Sequence, residues 1–355
     1  MSGQGRIRKY AFINAKLRAR LSNLLSDEIF SQMAKSRSLH EAIRYLHDTS
    51  FQIIEETYTK TGDLKLAELE LYKKEVKIYL EVEKYVSGEV RDVVRGFTRK
   101  YEVENLKAAL RLWFDRVVRK REIDSHTGYL YREKIHYDLN IDQIINVDSL
   151  ETIIDILANT PYAKIIKDNA ARFEQARDLF AIEIALDKYY YKHLYGKAIK
   201  LDNMDYGLLK HLLGGEIDLE NISWLIRFRD FYKMTIEESM ANMLPFGHHF
   251  DKKALEDLFS NDSIEVLKVT IERKYPFLSS MITQSSGGQA TLILLQKLLV
   301  QINLYEVKKM KGVYPFSIGI IMAYFLLKKN EIQKILRILN AKYYNIEEER
   351  IKSVI

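Results

Sequence analysis

The sequence predicts a nearly all-α protein built from three tandem copies of one helical unit. Three observations carry this: a composition poor in helix breakers, a motif written three times at near-equal spacing, and an apolar stripe of helical period inside each copy. The 355 residues include only 15 Gly and 4 Pro, with 47% hydrophobic and 29% charged residues, a balance that favours helix and disfavours disorder. The length exceeds one ordinary domain of roughly 100–150 residues and is enough to bury a sizeable core.

The motif is ENLKAALR at 104–111, ENISWLIR at 220–227 and, more loosely, NEIQKILR at 330–337. Its closing arginines, Arg111, Arg227 and Arg337, lie 116 and 110 residues apart. A second landmark agrees: SLHEAIRYLHDTSF begins at Ser38, SLETIIDILANTPY at Ser149 and SIEVLKVTIERKYPF at Ser263, spaced by 111 and 114. The outer copies are thus offset by 226 on one landmark and 225 on the other, so the repeat is about 115 residues long. The turn-prone SHTGY at 125–129 and MLPFGHH at 243–249 mark the breaks, which gives copies at 1–125, 126–243 and 244–355. No long disordered linker separates them, so the copies are expected to pack on one another.

In the Ser landmark the serine oxygen can satisfy free backbone N–H groups as an N-cap, and Glu41 and Thr152 to Asp155 follow with an amphipathic pattern. The stretch ends at Pro161 in the second copy and Pro276 in the third, because proline blocks continuation of a helix. Ser50 stands there in the first copy, where a softer break is expected. Patterns from Glu68, Arg177 and Thr291 read as the long helix of each copy, and SSGGQ at 285–289 as a loop within the third. In the motif helix Val103, Leu106, Ala109, Leu110 and Trp113 map onto Leu219, Ile222, Leu225, Ile226 and Arg229, and onto Lys329, Ile332, Ile335, Leu336 and Leu339. That i, i+3, i+4 spacing predicts a core stripe, with the closing Arg beside it and able to reach polar partners.

The chemistry of the chain excludes more than it offers. With no Cys there is no disulfide, thiolate site or cysteine nucleophile, which fits a reducing interior. The start MSGQGRIRKYAF has no apolar signal region, so the chain reads as cytoplasmic. The longest apolar run, 318–327, is about half the ~20 residues a spanning helix needs. No phosphate loop, dinucleotide fingerprint, H-E-x-x-H or G-x-S-x-G motif occurs, and neither a cofactor nor a metal is expected. His248 and His249 read as a solvated turn, and carboxylate pairs such as Asp202 with Asp205 and 347–349 as solvated faces. The 23 Tyr, with Tyr189, Tyr190, Tyr191 and Tyr195 crowding one helix, suit helix packing and interfaces. The net charge of +6 is spread over interleaved charges, and RVVRKR at 116–121 reads as a solvated helix end rather than a nucleic-acid patch. A threefold repeat without an active-site motif points to a function of shape: copies around a common axis would form a socket, although an open solenoid would serve as well.

With YAFINAKLRARLSNLLS at 10–26, YEVENLKAALR at 101–111, GGEIDLENISWLIRFR at 214–229 and YPFSIGIIMAYFLLKKNEIQKILRIL at 314–339, the chain resembles the C-subunit family of A/V-type rotary ATPases, whose eukaryotic vacuolar counterpart is the d-subunit. The resemblance spans nearly the whole chain. It implies an all-helical funnel of three similar domains about a pseudo-threefold axis. Such a protein is a non-catalytic part of the central stalk. It sits on the membrane proteolipid ring at the cytoplasmic face, receives the D and F subunits of the central shaft, and binds no nucleotide. Association with the membrane would be peripheral, through the ring. Within that frame Asn105, Arg111, Asn221, Arg227 and Arg337 form a candidate partner-binding set on a recurrent surface, with Glu331 at the third asparagine position. The other reading is that each Arg braces a neighbouring helix of its own domain. Two further classes stay open: a helical scaffold that binds proteins away from membranes, and an all-α enzyme of the isoprenoid type. The nearest match to the aspartate-rich motif of the latter, DNMD at 202–205, lacks paired aspartates.

Overall fold

A computed structural model describes residues 3–248, 250–260, 269, 273, 275–281, 294, 297–298, 301–302, 304–307 and 316–346. Among these the regular structure is helical throughout, as the composition requires. In chain order the helices are α1 (Gly3–Leu21), α2 (Asp27–Lys35), α3 (Leu39–Arg44), α4 (Gln52–Thr61), α5 (Leu64–Glu83), α6 (Gly88–Val117), α7 (Asp124–Thr127) and α8 (Ile141–Asn146). There follow α9 (Leu150–Ile156), α10 (Pro161–Ala176), α11 (Phe180–Ala198), α12 (Asn203–Asp230), α13 (Ile236–Asn242), α14 (Lys252–Ser260) and α15 (Gly319–Tyr343), with a 3₁₀ turn at Pro276–Met281. The chain divides into two compact units: unit 1 holds Met1–Ser22 and Tyr195–Asn330, and unit 2 holds Asn23–Leu194 and Glu331–Ile355.

Local signals act where the residues place them. Ser38 caps α3 by accepting from the Glu41 N–H at 3.1 Å, and Ser149 caps α9 by accepting from the Thr152 N–H at 3.2 Å. Ser263, the loop at 285–289 and about half of the pattern from Thr291 lie outside the described residues. Proline marks a start as much as a stop. Pro161 is the first residue of α10, where its missing N–H costs nothing, and Pro276 opens the 3₁₀ turn. At the matching place in the first copy α4 begins after Phe51 with no side-chain cap.

The patterns at Glu68 and Arg177 form α5 and α11, of 20 and 19 residues, but the motif helices are longer: α6 has 30 residues, α12 has 28 and α15 has 25. They outrun the expected length because buried apolar residues continue upstream of the motif, as with Val90, Val93, Val94 and Phe97 in α6. The predicted stripe is core: Val103, Leu106, Ala109, Leu110 and Trp113 are buried, as are Leu219, Ile222, Leu225 and Ile226, and Ile332, Ile335 and Leu339. In unit 1 the α12 stripe packs with Phe250, Leu255, Leu258, Tyr275 and Leu278. In unit 2, Trp113 and Phe114 pack on Phe173 of α10, and the Trp113 indole N–H donates to the Val147 carbonyl at 2.8 Å.

The three motif helices also stop alike. A left-handed residue follows each, Lys120 at φ 55°, Lys233 at φ 52° and Asn345 at φ 53°. The next N–H then reaches back to a helix carbonyl: Arg121 to Asp115 at 2.9 Å, Met234 to Phe228 at 3.0 Å and Ile346 to Ala341 at 2.8 Å. Such closures satisfy carbonyls that a helix end leaves open, so the left-handed cost is offset three times over at spacings of 113 and 112 residues.

Candidate functional site

The polar faces of the motif helices carry a recurrent device. On α6 the positions Arg95, Thr98, Glu102 and Asn105 fall at steps of three, four and three, and so lie on one side of the helix. All four act on the segment 131–137. Asn105 donates from Nδ2 to the Tyr131 carbonyl at 2.6 Å and accepts the Tyr131 N–H on Oδ1 at 3.2 Å. Glu102, 1% exposed, accepts the N–H groups of His136 and Tyr137 at 2.7 and 2.8 Å and the Tyr162 hydroxyl at 2.5 Å. Burial pushes the Tyr162 hydroxyl far above its usual range, and the charge of Glu102 adds to it.

Adding 116 gives His211, Gly214, Asp218 and Asn221 on α12, which repeat the arrangement on residues 244–248. Asn221, 2% exposed, donates to the Leu244 carbonyl at 3.0 Å and accepts its N–H at 2.7 Å. Asp218 accepts the His248 N–H with both oxygens, at 3.0 and 2.9 Å. The His248 ring meets that of His211 edge-on at 4.6 Å. Gly214 allows the close approach, since a Cβ there would stand 2.5 Å from the His248 Cβ. Residue 248 is therefore held against α12 and is not a solvated turn; His249 lies outside the described residues.

On α15 the third copy has diverged: Lys328 and Glu331, both buried, take the places of Glu102 and Asn105. Glu331 nevertheless binds a connector, accepting the Leu25 N–H at 2.7 Å. The three connectors follow one order. Tyr131 precedes α8, Leu244 precedes α14 and Leu25 precedes α2, so each motif helix holds a segment that runs into a shorter helix.

His136 shows the electrostatics of such a clamp. Its Nδ1 accepts from Arg95 Nε at 3.3 Å, and its Nε2 lies 2.6 Å from the Thr98 hydroxyl and 3.1 Å from the Arg95 carbonyl, so the neutral ring with its proton on Nε2 satisfies every contact. A second proton would face the Arg95 guanidinium. Burial first, then Arg95 and Arg99, lower its pKa from 6.5 to about 4. The unfolded chain therefore binds more protons than the folded one between those values. Stability is complete above pH 6.5 and should fall by no more than about 3 kcal/mol as pH drops to 4. Thermal unfolding of His136→Gln beside the parent over that range checks this; parallel curves would remove His136 as the source.

The five residues of the sequence-derived set occupy different surroundings. Asn105 and Asn221 are buried and commit their amides to connector backbone. In unit 2 Arg111, 57% exposed, meets Glu183 of α11 in a two-point pair at 2.6 and 2.9 Å, and one turn earlier Lys107 pairs with Asp187 at 2.7 Å. Arg337, on α15, is half-buried, and burial lowers its pKa. Arg227 of α12 in unit 1 is exposed, and its side chain makes no hydrogen bond or ion pair to another described residue. Beyond it the exposed Phe231 and Tyr232 end the helix.

Sequence reasoning missed Glu102 and Asp218. The usable signal was an acidic residue three places before each asparagine, in EVEN at 102–105 and DLEN at 218–221. It also misread Asp205, which is 0% exposed. Asp205 accepts the Tyr10 hydroxyl at 2.5 Å, Arg6 Nη1 at 3.2 Å and the Ile318 N–H at 3.1 Å, while Asp202 caps α12 and pairs with Arg6. A carboxylate bearing that many donors is a structural anchor and not a solvated face. Residues 347–349 lie outside the described residues.

Comparison with known proteins gives one consistent answer. A family model described as ATP synthase (C/AC39) subunit matches residues 13–354. The A-type ATP synthase C-subunit of Methanocaldococcus jannaschii is 23% identical over 348 residues, covering 98% of this chain and 86% of that protein. The C-subunit of Methanococcoides burtonii is 26% identical, covering 97% and 93%, and that of Archaeoglobus fulgidus 25% identical, covering 97% and 95%. Among the described residues no helix is long and apolar enough to cross a membrane.

Proposed function

We propose, since the chain belongs to the ATP synthase (C/AC39) subunit family, that it is a non-catalytic central-stalk rotor component of an A/V-type ATPase or ATP synthase. In this reading three helical copies form a closed socket. The socket joins the D and F subunits of the central shaft to the membrane proteolipid ring at the cytoplasmic face, and so couples ATP hydrolysis or synthesis to proton or sodium transport. The observation that carries the reading is the order of the clamps. The helix of the third copy, through Glu331, binds a segment of the first as Asn105 and Asn221 bind segments of the second and third, a cyclic order that an open solenoid does not need. Torque transfer also asks for stiffness, and connectors bonded to long helices by buried polar groups resist bending.

Within the partner-binding set, Asn105 and Asn221 act from inside by fixing the connectors, and Arg111, Arg227 and Arg337 supply charge. Arg227, with Phe231 and Tyr232 beside it, has the arginine and aromatic composition that anchors interfaces. Pull-down of the tagged full-length chain from membranes of its host, with mass spectrometry of what is retained, should recover the shaft proteins together with a proteolipid. Arg227→Glu should remain folded and lose at least one of them. Recovery of soluble proteins alone would replace this reading with a helical scaffold.

A further inference from the structure

The charge ladder that joins α6 to α11 has no counterpart on α12. In unit 2 Lys107 and Arg111, one turn apart on α6, meet Asp187 and Glu183, one turn apart on α11. The offset of 116 carries the two cations onto Ser223 and Arg227. In unit 1 the long pattern of the third copy packs on α12, since Leu294, Leu298 and Ile302 share a cluster with Leu219, Ile222 and Leu225. That pattern supplies no acid. Spacings of 114 and 115 place Glu183 and Asp187 on Lys297 and Gln301 or on Leu298 and Ile302, and no Asp or Glu occurs anywhere from 273 to 305. The third copy thus keeps the apolar half of the joint and lacks the acidic half. Arg227 is left exposed, with no ion pair to another described residue.

The end of α12 sets an apolar side chain beside this cation. Phe231 lies one turn beyond Arg227 and its N–H donates to the Arg227 carbonyl at 2.9 Å, so the helical turn continues and the two side chains share one side. Phe231 is 66% exposed. Arg229 is paired with Asp230, whereas Lys233, also exposed, forms no ion pair with another described residue.

We propose that the edge of α12 formed by Arg227 and Phe231 receives an acidic amphipathic helix of a partner protein, whose carboxylate takes the place that Glu183 holds beside Arg111. Charge complementarity names the occupant. Two cations without acidic partners and one phenyl ring match a carboxylate with an apolar side chain one turn away, which a helix provides. A bilayer or a nucleic acid would ask for a broad basic face, and here the exposed Glu237 and Glu238 of α13 follow directly. The inference deepens the rotor reading and rests on it only for the presence of a protein partner.

Photocrosslinking tests it. The full chain, with p-benzoylphenylalanine in place of Phe231, is bound to membranes of its host and irradiated, and the attached peptide is sequenced. The adduct should be a segment with Asp or Glu at helical spacing from apolar residues. The partner protein so identified, purified whole, should bind Arg227→Glu about tenfold more weakly than the parent and Phe231→Ala about fivefold more weakly. Reversing the partner's carboxylate to lysine should restore binding to Arg227→Glu, which a merely structural role would not allow. Lys60→Ala, at an exposed cation on α4, should leave binding unchanged, and circular dichroism checks the fold of each variant. No adduct, a lipid adduct, an adduct without acidic residues or a charge reversal that restores nothing would overturn the proposal. An acidic adduct from a protein foreign to any rotary ATPase would leave this surface standing and remove the rotor reading. Recovery of shaft and proteolipid by the parent chain, with no acidic adduct, would remove only this proposal.

Discussion

Glu102→Ala should lower stability by about 4–5 kcal/mol, a large part of the roughly 5–15 kcal/mol of a native protein. The carboxylate is fully enclosed and accepts from the His136 and Tyr137 N–H groups and the Tyr162 hydroxyl. Truncation strands three donors in a buried site. It also removes the negative charge nearest Arg99, itself buried one helical turn away, whose Nη1 donates to the Tyr189 hydroxyl at 2.6 Å and whose Nε has no hydrogen-bond partner among the described residues. Glu102→Gln keeps the shape and one acceptor oxygen and should cost about half as much. Chemical unfolding compares the three proteins, and hydrogen exchange at the His136 and Tyr137 amides reports the clamp directly. A loss below about 1 kcal/mol in the alanine variant would show that water replaces the carboxylate and that the segment 131–137 is held by other contacts.

Asp205→Ala should cost about 3–5 kcal/mol in unit 1. The aspartate sits in the first turn of α12, where a negative charge also favours the helix dipole, and it joins α1 through Arg6 and Tyr10 to the start of α15 through the Ile318 N–H. Burial raises the Tyr10 hydroxyl pKa beyond its usual range, followed by the charge of Asp205, so the tyrosine stays a neutral donor at any working pH. The comparison variant is Asp230→Ala, which loses only a partly exposed pair with Arg229 and should change stability by less than about 0.5 kcal/mol. Similar losses in the two variants, measured by thermal unfolding, would mean that the Asp205 network adds no more than a surface ion pair.

The parts of the fold legible in sequence were those whose physics is local. Ser38 and Ser149 could be read as caps because the N–H they satisfy is three residues on, and the motif stripe because helical period places i, i+3 and i+4 together. Repetition made this firmer, since the same helix pattern is written at 104, 220 and 330. The tyrosine cluster was read correctly as packing for Tyr190 and Tyr191, both buried. By contrast, Asp202 and Asp205 look alike in sequence. They differ because the Tyr10 hydroxyl and the Ile318 N–H, 195 and 113 residues away, converge on Asp205, whereas Arg6 pairs with both.

The recurrent arginines show the same division. Their spacing located a repeat, yet Arg111 is paired with Glu183, Arg337 is half-buried and Arg227 is exposed, because what faces each differs while the helix carrying it does not. By itself the sequence determined that this chain is helical, that Ser38 and Ser149 cap helices, which stripe is core and the family it resembles; all of these follow from short-range geometry or from pattern. Only the tertiary structure decided which polar residues are anchors. A buried acid or amide is tolerated where distant donors converge on it, and that convergence, as at Glu102, Asp218 and Glu331, exists only once the connectors have folded back onto the helices.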